Sequence, residues 1–141
     1  MAVVYERAVR FEEVDAAGIV FFARYFNWCH EAMEHFFGGV PGGYVGLITK
    51  RRIGFPAVHL EADWRAPLRY GDVARIETSV TKIGTTSAAF RYVVTRAADG
   101  VHAATVDHVV VSANLDTMTK IPLPPDCRAL LEQHATPPAR G

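Results

Sequence analysis

Phe22-Ala23-Arg24-Tyr25-Phe26-Asn27-Trp28-Cys29-His30-Glu31-Ala32-Met33-Glu34-His35-Phe36-Phe37 is the stretch on which the fold turns. Phe22, Phe26, Cys29, Met33 and Phe36-Phe37 recur at three- and four-residue steps, while Arg24, Asn27, Glu31 and Glu34 fall largely elsewhere. That period predicts an amphipathic helix of about four turns. Gly38-Gly39 and Pro41 supply its stop. Towards the N-terminus the period changes to two. Val3, Tyr5, Arg7, Val9 and Phe11 share one side and Val4, Glu6, Ala8 and Arg10 the other, which predicts a first strand. Glu12 to Gly18, with no long apolar run, is a turn.

Towards the C-terminus, residues 40–55 are rich in glycine, carry the basic run Lys50-Arg51-Arg52 and read as a loop. Ala57 to Pro67 is extended, with Val58, Leu60, Ala62 and Trp64 on one face. Arg69-Tyr70-Gly71-Asp72 turns the chain into the strand Val73 to Ile83, and Gly84 breaks it before the strand Ser87 to Arg96. Ala98-Asp99-Gly100 is a hairpin turn, because Asp-Gly tolerates positive φ, and Val101 to Asn114 is the last long β run. Pro122, Pro124 and Pro125 mark a short excursion in the tail, and Thr136 to Gly141 is expected to fray.

The order is strand, long helix, four strands joined by tight turns. It predicts an α+β fold, a five-stranded antiparallel sheet with one helix packed across it, as a single domain over 1–141. One helix cannot cover both faces of such a sheet, and open edges invite pairing, so a homo-oligomer is expected.

Composition narrows the partners. Fifteen basic residues balance fifteen acidic ones, which leaves no electrostatic footprint for nucleic acid or an anionic membrane. Two distant cysteines, Cys29 and Cys127, lack zinc-site spacing and suit a reducing compartment. The N-terminus alternates and carries charge early, unlike a secretory or membrane-spanning segment, so a cytoplasmic protein is expected.

Chemistry gathers in Phe11-Glu12-Glu13-Val14-Asp15-Ala16-Ala17-Gly18-Ile19-Val20-Phe21-Phe22. Asp15 lies in a turn a few residues before the helix, followed by small residues. The free N–H groups of a first helical turn polarise a carbonyl and stabilise an oxyanion. A carboxylate beside them can attack an activated acyl group or deprotonate water. The competing reading of Asp15 is a plain turn or cap residue.

Asp15-Ala16-Ala17-Gly18-Ile19-Val20, the aromatic pair after it, Tyr25 and the helix resemble the 4-hydroxybenzoyl-CoA thioesterase family. The likeness continues through Gly54-Phe55-Pro56, Ala66-Pro67-Leu68-Arg69-Tyr70-Gly71-Asp72 and Ile76-Glu77-Thr78, from Phe11 to Pro124. It implies a hotdog fold, hydrolysis of acyl-CoA thioesters without a cofactor or metal, and active sites between paired subunits, as a dimer of dimers. It further implies that Asp15 is the catalytic carboxylate, nucleophile or general base. The backbone N–H of Phe22 is then the donor to the thioester carbonyl, and Gly18 gives room in the turn.

At His30 the chain departs from the 4-hydroxybenzoyl type, which has an Asp on the helix for the ring hydroxyl. Cys29-His30-Glu31-Ala32 and Val58-His59 look instead like the 1,4-dihydroxy-2-naphthoyl-CoA hydrolase branch. On that likeness His30 or His59 can hydrogen-bond a phenol oxygen, Glu31 can orient an imidazole or water, and Tyr25 belongs to the substrate site; the competing reading is a satisfied strand histidine at His59 and a solvated or interface residue at Glu31. The cationic CoA-phosphate cluster of the 4-hydroxybenzoyl type is replaced by Gly84-Thr85-Thr86-Ser87, whose amides and hydroxyls suit a phosphate or pantetheine group. Lys82, Arg65 and Lys120 are the expected charges nearby.

Two other signals fail on geometry. His30 and His35 are five residues apart, so a helix turns them roughly 140° from each other, unfit for one metal. Cys29 and His30 point about 100° apart and form no dyad. Rival functions are an aliphatic acyl-CoA or carrier-protein thioesterase and a non-catalytic acyl-CoA-binding module. The usual Asp/His pattern of a hydratase is not evident.

Overall fold

In the computed structural model, which describes residues 2–136, the alternating stretches pair as one sheet. Its strands are β1 (Val3–Ala8), β3 (Ala57–Trp64), β4 (Val73–Ile83), β5 (Ser87–Arg96) and β6 (His102–Val111), in the order β1-β4-β5-β6-β3 with every neighbour antiparallel. The inward set of β4, Ala74, Ile76, Thr78 and Val80, is fully buried, as period two requires. The outward face carries ion pairs, Arg75–Glu77 along β4 and Arg91–Asp107 between β5 and β6.

α1 (Arg24–Phe36) lies on the inward face. Tyr25, Trp28, Cys29, Ala32, Met33 and Phe36 are buried on it and form one core with Ile76, Val80, Phe90, Tyr92, Val94 and Val106. Burying a side chain of this size contributes roughly 1.5–3 kcal/mol. The helix begins two residues later than Phe22, because Phe22 and Ala23 occupy the turn that feeds it.

Other boundaries also depart from the sequence reading: the strand from Ala57 ends at Trp64 rather than Pro67, and the last β run breaks after Val111. The first strand stops at Ala8, and Phe11–Glu13 is a single 3-10 turn, because the Glu13 carboxylate accepts the Arg10 amide. Residues 40–55 are not a plain loop. They hold α2 (Gly43–Thr49) and β2 (Ile53–Gly54), pinned by buried Leu47 and by Tyr44 against Phe37. The glycines that argue against a helix serve its entry, where Gly42 stands at φ +79°.

β2 joins β7 (Ala113–Asn114) and β8 (Thr119–Lys120) in a second small sheet. The proline-rich tail is α3 (Pro125–Gln133), because proline suits the first helical position and Cys127, Leu130 and Leu131 bury one face. The expected single long helix is therefore α1 with two shorter companions. The expected fraying of Thr136 to Gly141 lies, from residue 137, outside the described residues. Among the described residues no helix is long and apolar enough to cross a membrane.

Candidate active site

Asp15 sits at the tip of a short hairpin closed by a bridge between Val14 and Val20. Its backbone N–H donates to Ile19 (2.9 Å), and its own carbonyl accepts from Gly18 (2.9 Å), which stands at φ +80°. One carboxylate oxygen accepts the Ala17 amide (2.9 Å), and the side chain faces solvent. The hairpin is tied at its base, where Val20 N–H donates to Leu68 (2.8 Å) and Phe21 N–H to Glu13 (2.9 Å). Phe22 follows at once and is 56 % exposed. Its amide N–H has no acceptor among the described residues, whereas its carbonyl accepts from Tyr25 (3.3 Å). An exposed carboxylate and an unpaired amide thus flank one pinned turn.

Behind the turn lies a charged cluster that the sequence reading missed. The Glu13 carboxylate, on a residue 4 % exposed, accepts from Arg7 Nη1, from Trp28 Nε1 (2.8 Å) and from the Arg10 amide (2.7 Å). Burial alone would raise its pKa. The hydrogen bonds from Trp28, Arg10 and Arg7, with the Arg7 charge, outweigh that and hold it below the ordinary glutamate value. Arg7 also reaches Glu31 through Nε (3.0 Å) and lies over the Trp28 ring at 5.1 Å. A two-residue repeat that alternates Arg7 with apolar residues was the only local signal.

Glu31, assigned by resemblance to orienting an imidazole, is held by Tyr5 Oη (2.8 Å) and Arg7. The carboxylate against His30 is Glu34, at 3.1 Å. Tyr25 is 2 % exposed, so only its ring wall is offered to a ligand. His59 pairs with Glu61 (3.1 Å) on the face of β3 opposite Leu60 and Trp64.

Leu60 and Trp64 bound a groove along α1. Trp64 packs edge-on against Phe22, Tyr25 and Phe26. Beside it a cavity of about 300 Å³ is lined by Ile19, Val20, Tyr25, Trp64 and Arg65. Further along, Phe26, Cys29 and Leu60 line the next cavity. Cys29 is buried, and burial drives its thiol pKa far up, which excludes it as a nucleophile.

The six residues expected at CoA do not converge in one chain. Arg65 stands at the Asp15 end. Lys82, Thr85, Thr86 and Ser87 lie at the other end of β4, where the Thr85 and Thr86 carbonyls accept from Leu123 and Ser112. Lys120, exposed on β8, shares that end through the Ile121–Ser112 bond. The eleven residues of β4 separate the two ends by roughly 30 Å.

Fold and site together define a small α+β protein that sets a carboxylate beside a helix start over an apolar groove. Residues 9–131 match the thioesterase-like superfamily, and the chain belongs to it. The fold is the hotdog fold, as the motif resemblance implied. A 1,4-dihydroxy-2-naphthoyl-CoA hydrolase of Nostoc punctiforme is 34 % identical over 122 residues, 86 % of this chain and 82 % of that one. A thioesterase-superfamily structure from Jannaschia sp. CCS1 superposes with TM-score 0.89 at 28 % identity, covering 96 % of this chain and 94 % of that one. A 1,4-dihydroxy-2-naphthoyl-CoA thioesterase structure from Synechocystis gives TM-score 0.85 at 25 % identity, covering 97 % and 100 %.

Proposed function

We propose that residues 1–141 act as one cytoplasmic thioesterase domain that hydrolyses a hydroxylated aromatic acyl-CoA to the free acid and CoA. The observation that carries this is the exposed Asp15 carboxylate on the same pinned turn as the unpaired Phe22 amide. The thioester oxygen accepts the Phe22 N–H, and the Gly18 turn leaves the approach open. Asp15 then follows one of two routes. It attacks the carbonyl carbon to form a mixed anhydride, which water hydrolyses, or it takes a proton from the water that attacks. In both, the carbon–sulfur bond breaks and the CoA thiolate takes up a proton. The aromatic assignment rests on relatives named for naphthoyl-CoA and on the aromatic lining at Trp64, Phe22 and Phe26.

The test is CoA release, followed with a thiol reagent, across hydroxylated aromatic, unsubstituted aromatic and fatty acyl-CoAs. Hydroxylated aromatic thioesters are expected to give the highest kcat/KM. A preference for fatty acyl chains would discard the aromatic substrate, and tight binding without turnover of any thioester would discard the activity.

The working form is proposed to be a homo-oligomer, with a dimer of dimers as the full assembly. β3 is a free edge, and Val58, Leu60 and Trp64 on it are 58 %, 42 % and 43 % exposed. Antiparallel pairing of two β3 edges sets the Trp64 end of one copy beside the Ala57 end of the other. The Ala57 end is also the end of the Thr85–Ser87 turn, through the register Ala57–Val110–Ala88. CoA phosphates held by Arg65 of one copy are thereby brought towards Lys82, Thr85, Thr86, Ser87 and Lys120 of the other. Leu60→Glu is expected to lower the mass by light scattering at least twofold and to lower activity at least tenfold, by roughly the loss a disrupted interface residue causes. A variant that keeps the wild-type mass and rate would refute the edge-on dimer.

A further inference from the structure

Beyond Cys29 the groove opens into two cavities that the chemistry at Asp15 leaves unused. One holds about 330 Å³ and the other about 190 Å³, and His30, Ala57 and His108 line both. Their remaining walls are mainly apolar, with Phe26, Leu60, Met33 and Phe55 among them. His108 projects from β6 and is 9 % exposed. Its Nδ1 lies 3.1 Å from Tyr92 Oη, while its Nε2 has no hydrogen-bond partner among the described residues. Burial, with a smaller repulsion from His30, pushes the imidazole down to about 4. The ring is therefore neutral at pH 7 and offers one unpaired nitrogen to an apolar space.

In a neutral imidazole one nitrogen donates and the other accepts, and the bond to Tyr92 sets which of these Nε2 does. A carboxylate or an ether would need the donor, and an ammonium the acceptor. A phenolic hydroxyl does both and meets either tautomer. We propose that His108, held by Tyr92, determines specificity by hydrogen-bonding a hydroxyl on the ring of an aromatic acyl group. The inference rests on the thioesterase reading above and names the residue that selects its substrate. About 12 Å of helix separate Phe22 from His30, further than a fused two-ring acyl group reaches from its own carbonyl. The β3-edge pairing proposed above would close that gap, because it sets the Ala57 end of one copy, which lines both cavities, beside the Trp64 end of the other.

The first test compares 6-hydroxy-2-naphthoyl-CoA, whose hydroxyl lies on the ring remote from the carbonyl, with 2-naphthoyl-CoA. The ratio of their kcat/KM values is expected to fall at least about tenfold in His108→Leu, because a site built around a hydroxyl loses its reason to prefer one. In His108→Gln, which still donates and accepts, the ratio is expected to stay within about threefold of wild type. A folded leucine variant with the wild-type ratio would overturn the proposal. Since His108 packs in the core, the second test leaves the protein unmodified. Nitrogen-15 NMR of the imidazoles is expected to show His108 Nε2 shifting on addition of free 6-hydroxy-2-naphthoate and not with 2-naphthoate. Equal shifts, or none, would overturn it. Binding does not depend on turnover, so a selective shift without hydrolysis of any thioester would sink the thioesterase reading and uphold the His108 site.

Discussion

Asp15→Asn is expected to lower kcat for aryl-CoA hydrolysis by at least about 100-fold while KM changes little. The substitution keeps the side chain's shape, and the oxygen that accepts the Ala17 amide has an equivalent in the carboxamide. The turn should therefore survive, since its other bonds, Asp15 to Ile19, Gly18 to Asp15 and Val20 to Leu68, are all main chain. On the proposed mechanism, what disappears is the charge that attacks the carbonyl or takes a proton from water. Neither route runs through an amide. The proposed ground-state contacts, the aromatic lining and the CoA-binding residues, are untouched by the variant, which puts the expected loss on kcat. Steady-state kinetics with the thiol reagent read both constants. Residual activity within about threefold of wild type would remove Asp15 from the chemistry. A large rise in KM at unchanged kcat would make it a binding group instead.

The contrast between Asp15 and Glu13 shows what a sequence can disclose. Strands and α1 were legible because their burial follows one local period, two or 3.6, which survives into the fold at Ala74–Val80 and Tyr25–Phe36. α2 and α3 were not, because each is a short helix whose glycines or prolines argue locally against it and whose stability comes from packing at Leu47 and Leu131. The Asp15 turn was legible because its small residues must be contiguous. Glu13, Arg7, Trp28 and Glu31 meet only after a strand, a turn and a helix have docked, so no spacing announced them. The division of the CoA candidates had the same cause. Thr85 and Arg65 are separated by a strand length that pairing register alone discloses.

Glu13→Ala is the second large effect, expected to destabilise the protein by about 3–5 kcal/mol, the usual range for breaking one partner of a buried pair. The pair's own net worth is small, because desolvating both charges offsets most of their attraction. The loss comes from what the variant leaves behind. Arg7, 8 % exposed, keeps only Glu31 as a counter-charge, and Trp28 Nε1 and the Arg10 amide lose their acceptor. Glu13→Gln retains volume and one acceptor, so about 1–3 kcal/mol is expected, the cost of leaving polar groups unsatisfied.

The acid response separates charge from packing. The folded-state pKa of Glu13 lies below its ordinary value, so the folded protein binds fewer protons than the unfolded chain in that interval. Its contribution is present above the ordinary glutamate value and is lost as pH falls through the depressed one. Urea midpoints measured from pH 7 downwards should therefore converge between wild type and Glu13→Gln as this window is crossed. A constant offset would assign the cluster to packing alone. Because the Glu13 carbonyl also receives the Phe21 amide at the foot of the Asp15 hairpin, kcat of Glu13→Gln should fall in conditions where the variant is still fully folded. Unchanged kcat there would uncouple the buried cluster from the turn it supports.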